Sequence, residues 1–338
     1  MSAASEAEDE RFPIRLSVVT ELENAGLAGR RRAVEALAAL ARQLESEHEE
    51  GRVAWSELLV GCDPEEWPRE APGEIVAEAG IGGAVDEVRY LRRAGADYFA
   101  LKNAGAEAAS GDVILFLDSD VIAEPGWLDA MLEAIADPGT DVVGSHCYID
   151  GEDLVSRAYA LFGTFPLREE TDAGHTFLNS LAVAPRVMRR HPFPRLPLFR
   201  NSAHHWKREI EDAGVRIRAL PHVRVAHPAP PGAAELLRRS LADGHDHYAS
   251  RRHADGLSRP VSLALGLAGC GRRALRKTVR TLWRGPATGL GPLETAAAAG
   301  LCLLSHGARA VGCLASSVRD GSLPRSDDGW GSLRAAPR

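Results

Sequence analysis

A chain of 338 residues, 45% hydrophobic and 26% charged, has the make-up of a globular protein with one large α/β domain and an appendage, or two modest domains. Its formal net charge of -7 and pI of about 6.0 exclude a dedicated nucleic-acid binder, whose footprint would be a basic surface. Five cysteines (Cys62, Cys147, Cys270, Cys302 and Cys313) form no C-x-x-C pair, which excludes a zinc ribbon or thioredoxin-like motif and suits thiols in a reducing cytosol.

The acidic stretch 1–12 has no apolar run and reads as a frayed tail without a secretory signal. Leu16 to Thr20 is a short β-branched apolar run, the pattern of a buried parallel strand, and Ala33 to Leu44 has helical spacing. Glu57 to Val60 is a second strand, ending in Gly61-Cys62-Asp63, and Glu74 to Ala77 a weaker third. Gly80 to Gly83 has neither Walker nor dinucleotide spacing and reads as a loop. Tyr98 to Ser110 holds helix formers, and Gly111-Asp112 ends it. Val113 to Leu117, the most apolar strand, runs straight into Asp118-Ser119-Asp120. A Pro125-Gly126 turn opens a helix through Ile135, and Val142 to Gly144 is another strand. Strands alternating with helices predict βαβ units and a mostly parallel sheet flanked by helices. After Gly151 the pattern loosens into Pro-rich loops to about Pro231, and 232–318 reads as a helical appendage, followed by a tail over 319–338.

Two apolar segments follow in that appendage. Val261 to Cys270 is too short to span a membrane, and Thr295 to Ser317 is interrupted by His306 and Arg309. Both read as helices packed on the main domain, or as an interfacial pair whose Arg272, Arg273, Arg276 and Lys277 face lipid phosphates. The cluster His245-Asp246-His247 with His253, set among arginines, reads as a solvated helical face rather than a metal site.

The triplet carries the strongest chemistry. Residues i and i+2 of a strand point the same way, so Asp118 and Asp120 converge where the strand ends. Open α/β sheets bind ligands at that edge, and paired carboxylates there suit Mg²⁺ or Mn²⁺, which take substrate phosphates as further ligands. The plain alternative is a solvated turn.

The run from Lys102-Asn103-Ala104-Gly105 through Ser110-Gly111-Asp112 and Val113 to Asp120, then Glu124-Pro125-Gly126-Trp127-Leu128, resembles the central block of glycosyltransferase family 2. The likeness extends over 16–24 and 177–227, and it implies a GT-A (Rossmann-like) domain over 13–231 that transfers a sugar from a nucleotide-diphosphate donor, with inversion. In such a site Asp118 faces the nucleotide and Asp120 holds the metal, Mn²⁺ or Mg²⁺. Thr20 and Glu23 lie where the first strand of the family contacts the base. Asp63 is what remains of its acidic residue after the second strand, and Lys102 lies near the phosphates. Asn179 to Val183 is similar to the acceptor-side segment, and His227, ending a closing strand, stands where a third metal ligand often sits. The family supplies its base from an acidic pair eleven to twelve residues before a glycine. Counting back from Gly214 reaches Ser202-Ala203 instead, which leaves the adjacent His204 and His205, His205 first, as the titratable groups. Glu209, Asp212 and Asp172 are weaker options.

The expectation is therefore a metal-dependent transferase, cytoplasmic or peripheral at the inner membrane face, of the kind used in cell-envelope polysaccharide synthesis. Its partners would be a nucleotide-diphosphate sugar and an acceptor hydroxyl of unidentified glycan, lipid-linked or small-molecule type, with no nucleic acid. The alternatives are a catalytically impaired nucleotide-sugar binder, suggested by Ser202-Ala203, and a sugar-nucleotide pyrophosphorylase, whose glycine-rich basic signature Glu21 to Arg30 does not match.

Overall fold

The structure, a computed structural model, describes residues 12–163, 165, 168, 178–196, 198 and 202–319. The two expected tails and Asp172 lie outside the described residues, apart from Phe12 and Arg319. The chain divides into two compact units. The first comprises 1–148, 168–193 and 206–228, and the second 149–167, 194–205 and 229–338. The longest stretch of the second unit starts at 229, and two earlier stretches, 149–167 and 194–205, belong to it as well.

In the first unit, among the described residues, one sheet has the order β3-β2-β1-β4-β7-β6-β8-β5. Its strands are β1 (Ile14–Glu21), β2 (Val53–Cys62), β3 (Glu87–Arg92), β4 (Val113–Leu117), β5 (Ile122–Ala123), β6 (Val142–Ile149), β7 (Ser180–Val183) and β8 (Ile217–His227). β3, β2, β1 and β4 run parallel, with Leu16 beside Val113 and Thr20 beside Val60. β7 pairs antiparallel with β4 and β6, and β5 with β8. The sheet is therefore mixed: β8 is the closing strand expected to end at His227, and β7 forms over Ser180–Val183, inside the expected acceptor-side segment Asn179 to Val183. Glu74 to Ala77 is not a strand: it belongs to a helix, Ala71–Glu78, opened by Pro72 near its N-terminus. The strand that occupies that place is β3, whose charged, half-exposed residues hide the apolar signal.

Fully apolar β4 buries all five residues, as a central strand covered on both faces must. Of the helices that cover the sheet, α1 is Glu23–Ala28, α2 is Arg30–Glu49, α3 is Ala71–Glu78 and α4 is Tyr98–Ala108. They are followed by α5 (Trp127–Ala136), and α6 (Leu154–Phe162) opens the second unit. α4 lies close to β1 because it carries Gly105, where a Cβ would stand 2.3 Å from Cγ1 of Val19. Gly111, at the turn into β4, is tighter still on backbone: its Cβ would be 2.6 Å from the Arg15 carbonyl oxygen. Asn103 exchanges hydrogen bonds with both main-chain groups of Phe193, each at 2.9 Å. Phe193 is buried against Phe99, Phe116 and Trp206.

The remaining helices are α7 (Pro185–Arg190), α8 (Ser202–Asp212), α9 (Gly232–Ala249), α10 (Arg259–Arg284) and α11 (Pro292–Arg319). Within the second unit, α6 residues Ala158, Leu161 and Phe162 form a core with Leu236 of α9 and Ala298 and Cys302 of α11. His245 and Asp246 are buried on α9, and the His245 Nδ1 lies 2.9 Å from the Ser316 hydroxyl. The face expected to be solvated is thus packed at His245 and Asp246, where α11 brings Ser316 to His245, while His253 is exposed. All five cysteines are free thiols and buried.

Candidate active site

The carboxyl ends of β1 and β4 gather a cluster of buried charged groups, Glu21, Lys102, Asp118 and Asp120. Asp118 follows β4 directly. Its amide donates to the Asn179 carbonyl at 3.1 Å and its carbonyl accepts from Val121, so the triplet turns sharply as the strand ends. Asp118 is 4% exposed, and three side chains donate to it. Lys102 Nζ is 2.6 Å from Oδ1, the Tyr98 hydroxyl 2.9 Å from the same atom, and Asn24 Nδ2 3.1 Å from Oδ2. Lys102 is fully buried, with its ammonium 4.7 Å from the centroid of the Tyr98 ring. Its charge is therefore committed to Asp118 rather than open to a phosphate. Burial pushes the Asp118 carboxyl up, and the Lys102 ammonium works against it.

Beside them lies Glu21, the last residue of β1, which no motif singles out. It is fully buried and accepts from Asn24 through both oxygens, at 3.0 and 3.2 Å. Burial first, and the Asp118 charge next, hold its carboxyl well above the usual range. The Tyr98 hydroxyl is likewise pushed up by burial and then by Asp118. Three carboxylates (Glu21, Asp118, Asp120) and one ammonium thus share a place poor in water. The period-2 pattern of β1 was the available signal: Glu21 continues the face of Ser17 and Val19, both buried.

Asp120 and His227 come together, with Asp120 Oδ2 3.9 Å from His227 Nε2 and both residues buried. His227 Nδ1 lies 2.7 Å from the Pro228 carbonyl, which can only accept, so Nδ1 carries a hydrogen there. In the neutral ring, Nε2 then presents a lone pair toward a carboxylate oxygen. At 3.9 Å the two atoms stand too far apart for a hydrogen bond, and the spacing suits a cation between them. The backbone around this pair is tied down by Arg32, whose Nε donates to the Asp120 carbonyl at 2.8 Å and whose Nη2 donates to the Ala226 carbonyl at 2.9 Å. Among the described residues no group of three or more His, Cys, Asp or Glu side chains is arranged as a metal centre. A carboxylate oxygen and an imidazole nitrogen fit Mn²⁺ or Mg²⁺ as a partial set, the kind of site that substrate phosphates and water complete.

The other expected residues are placed as follows. Thr20 is buried at the end of β1, and its hydroxyl has no hydrogen-bond partner among the described residues; the Ser119 hydroxyl is in the same condition. Buried hydroxyls are normally satisfied, so each asks for a ligand or water. Glu23 is half-buried in the first turn of α1. Asp63 accepts from the amides of Glu65 and Gly95 at 2.8 and 3.0 Å, which makes it a turn anchor after β2. His204 and His205 belong to the second unit. His204 is exposed, and His205 Nε2 lies 2.6 Å from the Ser250 hydroxyl.

Residues 73–193 match the family model described as "Glycosyl transferase family 2". A "Pre-mycofactocin glycosyltransferase" of Mycobacterium tuberculosis is 30% identical over 168 residues, 46% of this chain and 35% of that protein. "Glycosyltransferase AglE" of Haloferax volcanii is 28% identical over 151 residues, 43% of this chain and 49% of that one. The chain spans between a third and a half of the length of these curated relatives. Among solved structures, a mannosyltransferase from Pyrobaculum calidifontis, in complex with GDP-Man and Mn²⁺, aligns over 90% of this chain and 88% of its own. Its TM-score is 0.53 at 16% identity, which establishes the shared GT-A fold.

Proposed function

We propose, from the premise that this chain carries a glycosyl transferase family 2 domain, that it transfers a sugar from a nucleotide-diphosphate donor to an acceptor hydroxyl. The observation that carries this reading is the meeting of Asp120 and His227 beside the buried Asp118–Lys102 pair, at the carboxyl edge where α/β sheets bind ligands. Asp120 and His227 would hold a divalent cation, which when bound offsets negative charge on a departing diphosphate. The Mn²⁺ of the mannosyltransferase with the shared fold agrees with that choice of ion. Asp118, already holding Lys102, Tyr98 and Asn24, would serve as an oriented acceptor toward the nucleotide rather than as a metal ligand. Thr20 offers a buried hydroxyl with no other partner among the described residues, and Glu23 and Asp63 flank the same strand ends.

The acceptor's proton needs a base, and the reading assigns it to His205, with His204 beside it, because Ser202 and Ala203 occupy the slots where the family carries its acid. Inversion at the anomeric carbon belongs to this reading. So does a location at the inner face of a membrane, reached through the helices of the second unit. A second reading, donor binding without turnover, is favoured by Ser202: fully buried, with no partner for its hydroxyl among the described residues, it offers no general base.

Thermal melting with GDP or UDP, with and without Mn²⁺, tests the assignment. A nucleotide at a hundred times its dissociation constant stabilises by about 2.7 kcal/mol. The shift should need Mn²⁺ in the native chain and vanish in Asp120→Asn. An Asn variant that keeps the full metal-dependent shift removes Asp120 from the site. Donor hydrolysis against pH then separates the two readings: turnover governed by an ionisation near 6.5, absent from His205→Ala, supports the transferase. Nucleotide binding with no turnover supports the second reading.

A further inference from the structure

The two faces of α11 differ. Its inward face combines small core residues, Ala298 and Cys302 among them, with buried polar groups that include Ser305, His306, Arg309 and Ser316. Its outward face carries Leu293, Leu303, Leu304, Val311, Leu314 and Val318, all exposed, Leu293 to 86%. Three of the inward polar groups are answered from α9: Ser305 Oγ lies 2.7 Å from Ser240 Oγ, Arg309 donates to Asp243 at 2.9 Å, and Ser316 Oγ lies 2.9 Å from His245 Nδ1. The two helices touch backbone to backbone, since a Cβ on Gly244 would stand 2.0 Å from the Arg309 carbonyl oxygen and one on Gly312 2.1 Å from that of Leu241. In water the apolar face of a helix turns inward. Small residues at the contact, polar pairs inside and aliphatic side chains outside are the arrangement of helices whose outer solvent is hydrocarbon.

α10 adds the second half of the surface. Val261, Leu265, Leu275, Val279, Leu282 and Trp283 are exposed along it, Trp283 to 82%, at spacings that keep them on one side. Arg272 and Arg276 are exposed on the same side, and the helix carries seven cationic residues and no acidic one. A tryptophan among arginines beside an aliphatic stripe fits the boundary between headgroups and acyl chains.

We infer that the outward faces of α10 and α11 form a surface that lies in the plane of an anionic lipid bilayer, with the aliphatic stripe in the acyl layer and Arg272 and Arg276 on lipid phosphates. The inference rests on the peripheral location proposed above and names the surface that makes it. By length and composition α11 could cross a membrane. However, α10, packed along it, carries seven cations that the acyl layer would not accept, which favours lying in the plane. A second copy of the chain fits less well. A two-fold contact would set this patch against itself, arginines facing arginines with no acid on α10 to answer them.

Flotation of the full chain with vesicles of phosphatidylcholine mixed with phosphatidylglycerol, against pure phosphatidylcholine, tests this. The native chain should float with the anionic vesicles. Leu303→Glu/Leu304→Glu should lower its partition by about tenfold or more with an unchanged melting curve, since both side chains are exposed. Arg272→Gln/Arg276→Gln should abolish the preference for anionic over neutral vesicles. A chain that stays in the soluble fraction with both vesicle types overturns the inference. So does dimerisation without lipid that the Leu303→Glu/Leu304→Glu change abolishes, which assigns the face to a second copy, or resistance to carbonate extraction, which assigns α11 a span. Mn²⁺-dependent donor hydrolysis, measured without vesicles on the same variants, should be retained. Its absence from every protein, with flotation intact, would refute the transferase reading alone.

Discussion

Lys102 and Asp118 hold opposite charges at 2.6 Å with essentially no exposed surface on either. Such a pair need not add stability over an apolar substitute, but removing one member strands the other. Lys102→Met should therefore lose about 3–5 kcal/mol in urea unfolding, and Lys102→Met/Asp118→Asn should recover a good part of it. Equal stabilities for the single and double variants would mean that Asp118 does not depend on Lys102. Glu21 works in the other direction. Its carboxyl is held well above the usual range by burial and by Asp118, so the folded state binds its proton more tightly than the unfolded chain. Its ionisation costs nothing below the unfolded value of about 4.3, and the cost grows as pH rises above it. Glu21→Gln should thus stabilise the ligand-free protein at neutral pH, with the gain shrinking to nothing near pH 4. Melting curves across that range decide it; a gain that grows on acidification would contradict the assignment.

Between elements, the glycines of the Lys102 to Asp112 block explain why that run has its spacing. Gly105 admits Val19 to α4, and Gly111 admits the backbone at Arg15 and Ser17 to the turn before β4. Gly105→Ala overpacks this contact and should cost about 1–3 kcal/mol in urea unfolding. Shortening the opposite side chain in Gly105→Ala/Val19→Ala should make the two losses sub-additive, because the added methyl fills space the valine leaves. Fully additive losses would show that the two residues do not press on each other. This block and the apolar runs of β1, β2 and β4 were legible because each buries a continuous stretch. β3 was not, since a half-exposed strand of Glu, Arg and Tyr lacks the apolar pattern that distinguishes strands. The four residues Glu74 to Ala77 are too short for periodicity to tell strand from helix. At the site, Asp118, Asp120 and His227 stood out by motif and position. Lys102 was visible as a residue but not as the partner of Asp118, and Glu21 and Arg32 act through pairings that only the folded chain creates.

Charge over the whole molecule is as uneven as its polarity. A chain of net charge -7 includes a helix, α10, with seven cations and no acid, so the other residues are more acidic than the total suggests. His306 and Arg309 argue from sequence against a membrane-spanning α11, but they are buried, and no linear hydropathy reading separates the two faces of one helix. The inferred lipid surface consequently makes a demand on ionic strength that a uniformly basic protein would not. At about 0.01 M salt the Debye length is about 30 Å, and the acidic remainder of the chain repels an anionic vesicle together with the attraction of α10. Near 0.1 M it is about 10 Å, so only the nearest cations are felt. Toward 1 M these too are screened, leaving the apolar stripe alone. Partition onto phosphatidylglycerol-containing vesicles should therefore rise from the lowest salt to about 0.1 M and then fall to a non-zero floor. Arg272→Gln/Arg276→Gln should flatten the falling limb, and Leu303→Glu/Leu304→Glu should lower the floor. A steady rise from the lowest salt upward, with no falling limb, would show that the cations of α10 act only as part of the whole negative charge and not as a local surface.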